Sequence, residues 1–246
     1  MCPPREHDLT VMSVYWTLTR VSKSSASTPS VPPPADTLTA RGRKTRDGLL
    51  DAARKVFEEV GFLDTRVEQI VQEASVSYGT FYRYFESKDD VFQELSIRLF
   101  EDVHRREPLD SDLSPAARLI ATNRLYYQAY RRNAKLMAIV EQVATFNSEF
   151  RALRHEHRRQ LIERTSRAIA RWQDQGHVRE SLDPVMAARA MSAMVDHTLY
   201  LWLVQGDEAD EEILLDTLDQ MCIGALGLDV ASTQPSRIDP HGVDSP

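Results

Sequence analysis

Apolar residues recur at three- and four-residue intervals along most of the chain, and no stretch alternates convincingly over a strand's length. Leu49, Leu50, Ala53, Val56, Phe57 and Val60 lie on one face of a first helix, with Gly61 as its left-handed end cap. Thr65 and Glu68 have the spacing of a capping box, which starts a helix at about Arg66 running to Ala74 through Val67, Ile70 and Val71. Ser77 then caps a short helix over Tyr78–Phe85. Phe81 and Phe85 stand four apart and face inward, leaving Tyr78, Gly79, Thr80, Tyr82, Arg83 and Tyr84 toward the outside. A second box, Ser87 with Asp90, opens a helix through Val91, Phe92, Leu95, Leu99 and Val103 that Pro108 ends.

The pattern continues in the second half. Ser114 and Pro115 supply a cap and a first-turn proline for a helix through Leu119, Leu125, Tyr126 and Tyr130. Asn133 breaks it before Leu136, Met137, Val140 and Val143. Asn147 and Ser148 begin a helix that reaches Trp172 and closes at Gly176. Asp183 and Pro184 repeat the cap-plus-proline device ahead of Val185–Val204. Gly206 and Asp207 turn into a last helix over about Glu208–Leu226. Only nine glycines occur in 246 residues, which agrees with an all-α chain. Residues 1–40, with their serine- and proline-rich run Ser24–Pro34, and the polar residues 229–246 are expected to be disordered. Met12 is an alternative start.

Charge sharpens this outline. The net charge is −7, so a nucleic acid could be held only by one local surface and not by overall charge. Cations gather at the leading edge of the first helix: Arg41, Arg43, Lys44, Arg46, Arg54 and Lys55 face only Asp47 and Asp51. The run Arg41–Arg46 reads as a basic arm. It opposes the dipole of the helix it leads, a cost that an adjacent polyanion would offset; a solvated helix start is the plainer alternative. Cys2 and Cys222 lie at opposite ends, which disfavours a disulfide and suits a reducing cytoplasm. No apolar run approaches membrane-spanning length, and the start of the chain lacks a clear cleavage site.

The residues Ala52-Ala53, Phe57, Gly61-Phe62, Thr65, Ile70, Ala74, Val76-Ser77, Gly79-Thr80-Phe81-Tyr82, Tyr84-Phe85 and Lys88 together resemble the N-terminal domain of TetR-family transcriptional regulators. The resemblance spans about fifty residues, Arg46 to Leu95. Two positions depart from the family pattern: Val71 stands where a small alanine is usual, and Ser75 replaces the usual turn glycine. The resemblance implies a three-helix helix-turn-helix domain over 41–86, a connecting helix over 87–107, and a helical ligand-binding and dimerisation domain over 108–228. It also implies a homodimeric regulator, most simply a repressor on a palindromic double-stranded DNA operator, released by a small effector. Residue by residue it puts Tyr82, Tyr84 and Lys88 on phosphates and Thr65 on a phosphate through its helix N-terminus. Ser77, Tyr78 and Thr80 would lie near base edges, Gly79 would allow close backbone approach, and Arg83 could bond guanine. Arg43 and Lys44 of the basic arm join this set. Tyr82 and Tyr84 could instead be core tyrosines.

For the effector, Tyr126, Tyr127, Tyr130, Met137, Phe146 and His197 are the candidate lining, and an apolar pocket would suit a fatty-acyl, acyl-CoA or sterol-like molecule. Arg151, Arg154 and Arg158 recur on one face, either solvated or receiving an anionic headgroup. The alanines and methionines of Val185–Val204, with Ile213, Leu214, Leu218 and Met221, could pair two subunits in a four-helix interface. Nothing suggests an enzyme, a cofactor or a metal: His155-Glu-His157 lacks zinc-protease spacing, and neither a phosphate-cradling glycine loop nor a nucleophile elbow occurs. The alternative reading is a helical protein-interaction adaptor without DNA binding.

Overall fold

The computed structural model describes residues 38–105, 109–110 and 112–229. Pro108, Cys2 and most of both expected tails lie outside the described residues. Among those described, the chain forms nine α-helices and no strand: α1 (Ala40–Asp64), α2 (Val67–Glu73), α3 (Tyr78–Tyr84), α4 (Lys88–Val103), α5 (Pro115–Arg132), α6 (Ala134–Phe146), α7 (Ser148–Asp174), α8 (Pro184–Tyr200) and α9 (Glu211–Leu226). A π-helical turn, Leu201–Gln205, extends α8. No described helix is long and apolar enough to cross a membrane.

The expected caps form at Ser77, Ser114, Asn147 and Asp183, each side chain accepting from a first-turn amide. Asn133 does separate α5 from α6, and its side-chain amide donates to the Ala129 carbonyl and to Asp102 of α4. Four local expectations are corrected. The run Arg41–Arg46 is no arm but the first turns of α1, because the Thr39 hydroxyl accepts from the Gly42 amide and starts the helix earlier. The last helix starts at Glu211, where the Asp210 carboxylate caps the Ile213 amide at 3.0 Å. At α4, the Ser87 hydroxyl caps Asp90, but the Asp90 carboxylate returns to the Glu86 amide, one residue outside a box.

The fourth correction concerns Gly61 and Thr65. Gly61 adopts φ 79°, ψ 170°, a region that is essentially glycine's alone, and helical geometry resumes after it through Asp64. The kink leaves the Gly61 carbonyl without a helical partner, and the Thr65 hydroxyl donates to it at 2.6 Å. Thr65 is therefore turned inward and buried. The box it was expected to make with Glu68 is absent; the Arg66 amide donates to the Gln69 side chain instead.

The same kink swings Phe62 into the core. Its ring lies 4.8 Å from Phe92 and 5.9 Å from both Phe57 and Phe150. Phe150 belongs to α7, so the N-terminal head and the C-terminal half share one hydrophobic core, which continues through Tyr130, Met137 and Val143. Lys88 seals the kink. Its ammonium sits 4.7 Å from the Phe62 ring centre and donates to the carbonyls of Phe62, Leu63 and Thr65 at 2.7, 3.1 and 2.8 Å. Those are carbonyls a helix end leaves unsatisfied. A second core, around Leu119, Ile169, Ala188 and Cys222, holds α5, α7, α8 and α9 together.

Ser75 joins α2 to α3 at φ 53°, the left-handed conformation its position demands. Replacing Ser75 with valine should destabilise the chain by about 1–2 kcal/mol, whereas asparagine should be nearly neutral; urea denaturation midpoints would show it. Lys88→Met should cost about 2 kcal/mol by the same measurement, because it strands three carbonyls while preserving the aliphatic stem.

Candidate nucleic-acid interface and the buried polar network

The short helix α3 divides cleanly. Phe81, Tyr84 and Phe85 are buried, while Tyr78 and Tyr82 are 48% and 51% exposed, with Ser77, Gly79 and Arg83 beside them. The Ser77 hydroxyl accepts from the Thr80 amide at 3.2 Å and lies 3.0 Å from the Thr80 hydroxyl, so the two polar groups at the helix start hold each other. The Tyr82 ring rests edge-on against Phe81, which leaves its phenol end in solvent. Gly79 is not required by internal packing: a Cβ there would meet only the Ser77 hydroxyl, at an ordinary 3.8 Å.

Three expected contact residues lie off this face. Tyr84 is a core side chain, turned inward with Phe81 and Phe85. Thr65 is buried at the kink, and Lys88 has its ammonium on three backbone carbonyls. The cations of α1 divide in the same way. Arg46 makes a bidentate pair with Glu94 of α4 and lies 5.0 Å from the Phe85 ring centre, Arg54 pairs with Glu58, and Lys55 with Glu73 of α2. Arg41, Arg43 and Lys44 remain exposed at the helix start, although one Arg43 nitrogen donates to the Leu38 carbonyl.

The expected effector lining is only partly brought together. Tyr130 and Met137 are fully buried, and the Tyr126 ring lies 6.0 Å from that of Tyr130. Tyr127 stacks on Trp202 at 5.6 Å, at the edge of this group. Phe146, the last residue of α6, is half exposed where Asn147 turns the chain, and His197 stacks on Tyr200 on the outer side of α8. Those two are corrected: neither enters the interior. A cavity bounded by Asn123, Tyr127, Leu199, Leu215 and Asp219 measures about 10 Å³, room for roughly one water.

A polar network that sequence reasoning missed lies between the helices. Asp196 of α8 accepts from the Tyr126 hydroxyl of α5 at 2.9 Å, and from Arg154 and Arg158 of α7 at 2.9 and 2.8 Å. Arg154 also donates to Glu141 of α6 at 2.6 Å. Four helices thus meet on one ion cluster. Burial alone would raise the Asp196 carboxyl, but Arg154, the Tyr126 hydroxyl and Arg158 outweigh it and hold it below the usual carboxylate range. Burial drives His104 the other way: with Arg164 and His157 close by, its imidazole falls to about 4 and is neutral at pH 7. The signal for this cluster was present in the sequence, since Asp196 is the lone acid in the largely apolar stretch from Met191 to Val204, and Arg151, Arg154 and Arg158 form a row of arginines upstream.

Comparisons with known proteins agree with this geometry. The family described as "Bacterial regulatory proteins, tetR family" matches residues 49–95. The HTH-type transcriptional repressor KstR2 of Rhodococcus jostii is 30% identical over 138 residues, covering 50% of this chain and 67% of that protein. The fatty acid metabolism regulator protein of Bacillus subtilis is 22% identical over 181 residues, covering 72% and 93%. Among solved structures, the fatty acid degradation regulator FadR from Bacillus halodurans superposes with a TM-score of 0.60 at 24% identity, over 75% of this chain and 97% of that one. With the tetR-family match on the head and a relative 30% identical of which the chain covers 67%, the chain belongs to the TetR family of bacterial transcriptional regulators.

Proposed function

We propose that this regulator binds a palindromic double-stranded DNA operator as a homodimer and acts as a repressor that a small effector releases. The observation that carries the DNA reading is the split of α3: an aromatic and apolar inner face, and an outer face of Tyr78, Gly79, Tyr82 and Arg83 over which no described helix packs. Such a helix can enter the major groove while Ser77 and Thr80 at its N-terminus approach base edges and Arg83 bonds guanine. Tyr82, Arg43 and Lys44 would meet phosphates. In this arrangement 41–86 forms the reading head, 87–107 the connection, and 108–228 the effector and dimer domain.

Dimerisation is supported by what α8 and α9 leave uncovered. Ala188 and Leu218 are buried within the subunit, but Met186, Ala190 and Ala193 form an exposed line along α8, and Ile213 and Met221 along α9. Isologous pairing of these stripes would set two heads about 34–36 Å apart, one turn of DNA. For the effector, the interior around Tyr126, Tyr130 and Met137, together with the fatty-acid regulator among the relatives, supports a fatty-acyl or acyl-CoA type of molecule.

Gly79 gives the sharper test of DNA binding. Gly79→Ala should raise stability by about 0.5–1 kcal/mol, since alanine suits a helix and has room here. It should weaken binding to operator fragments selected from the host genome by at least tenfold, because the added methyl keeps the backbone off the DNA. Unchanged affinity in fluorescence anisotropy would sink the placement of α3. Ile213→Asp combined with Met221→Lys should give a folded monomer by light scattering and abolish specific binding; a dimer that persists would move the interface elsewhere.

A further inference from the structure

We infer that the groove between α6 and α7 is an oxyanion-binding site, taking the phosphate or carboxylate group of a small organic molecule, and that its occupant competes with Asp196 for the arginines. The inference rests on reading the C-terminal half as an effector domain and names the chemistry it recognises. The groove encloses about 210 Å³ and is lined by Glu141, Ala144 and Thr145 of α6 and by Arg151, Arg154, His155 and Arg158 of α7. That volume is below the range of whole drug-sized pockets but ample for a charged headgroup.

The charges are unbalanced there. Three guanidinium groups line the groove, and two of them, Arg154 and Arg158, share two carboxylates, Glu141 and Asp196. Arg154 is largely buried, at 12% exposure, and is divided between both acids. Arg158 gives one nitrogen to Asp196 and is nearly half exposed at the rim. Arg151 bridges the carbonyls of Ala144 and Thr145 at 2.9 and 2.6 Å. Each guanidinium carries five N–H donors in a planar fork suited to phosphate and carboxylate oxygens, and these contacts engage at most two nitrogens of each. An oxyanion seated in the groove would turn Arg158 and part of Arg154 toward itself.

The mechanical consequence follows from where Asp196 sits. It belongs to α8, whose outer side carries the proposed dimer stripe, and it is largely buried at 15% exposure. Drawing Arg158 away leaves its carboxylate underpaired, a costly state that α8 relieves by moving off α7. Glu141 lies on α6, which packs directly on α1 of the head. The groove therefore touches α6, which meets the head, and is linked to α8 through the bonds of Arg154 and Arg158 to Asp196.

The test uses the full chain at constant ionic strength, with phenyl phosphate and benzoate as probes and phenol as the uncharged control, titrated by calorimetry. At least one anion should bind and phenol should not; which anion binds separates a phosphoryl from a carboxylate source. Arg158→Gln and Arg151→Gln, both at exposed positions, should each weaken that binding at least tenfold, while Arg167→Gln on the same helix should leave it unchanged. Binding of phenol equal to the anions, binding of neither anion, or full affinity in Arg158→Gln overturns the site. Anisotropy with the selected DNA fragments, without and with the bound anion, keeps the two readings apart. DNA binding in a chain that ignores both anions defeats this inference alone, and anion binding without DNA binding defeats the regulator mechanism alone.

Discussion

Everything in the head depends on the placement of Phe62. A single backbone conformation at Gly61 turns the chain so that this ring leaves the line of α1 and enters the core. There it meets Phe57 of its own helix, Phe92 of α4 and Phe150 of α7, so three helices are referenced to one side chain. Truncating a ring so placed typically costs about 3–5 kcal/mol. The polar consequences of the turn are met locally: Thr65 takes the stranded Gly61 carbonyl, and Lys88 takes the carbonyls of Phe62, Leu63 and Thr65 while covering the ring. The position of α3, and with it the exposed face of Tyr78 and Tyr82, rests on that assembly through Phe81 and Phe85.

Because the core runs without interruption from Phe57 to Tyr130 and Leu199, the head is not a bead on a flexible tether. Two routes join it to the second half. One is α4, which continues from the head and meets the α5–α6 junction where Asn133 bonds Asp102. The other is direct, α1 against α6, beside which Arg54 of α1 reaches the Arg132 carbonyl at the end of α5 at 3.3 Å. Sequence reasoning foresaw only the first, since the connecting helix is visible as periodicity, whereas packing between α1 and α6 joins segments some eighty residues apart.

The helices themselves were legible because their signals are local. Ser77, Ser114, Asn147 and Asp183 cap where their chemistry places them, and the alternation of inward Phe81 and Phe85 with outward Tyr82 follows from helical spacing. What could not be read was which polar group a side chain would choose. Thr65 had the right spacing for Glu68, but a kink produced a nearer acceptor. Lys88 looked like a free cation until three carbonyls converged on it, and Tyr84, outward by simple helical spacing, is buried in the core. The same holds for Phe146 and His197, aromatic by type but outward by position. For Asp196 the sequence offered a charge out of place on an apolar helix, and only the fold supplied Tyr126, Arg154 and Arg158 as its partners.

The π-helical turn after α8 has an optical consequence. It widens the helix at Leu201–Gln205 and brings the Trp202 indole flat against the Tyr127 ring, with an interplanar angle of 14°. An indole's emission is sensitive to its immediate neighbours, and a one-residue change of register in that turn would rotate it off the phenol. The chain thus carries a built-in fluorophore at the junction of α5 and α8, able to report movement there without a label.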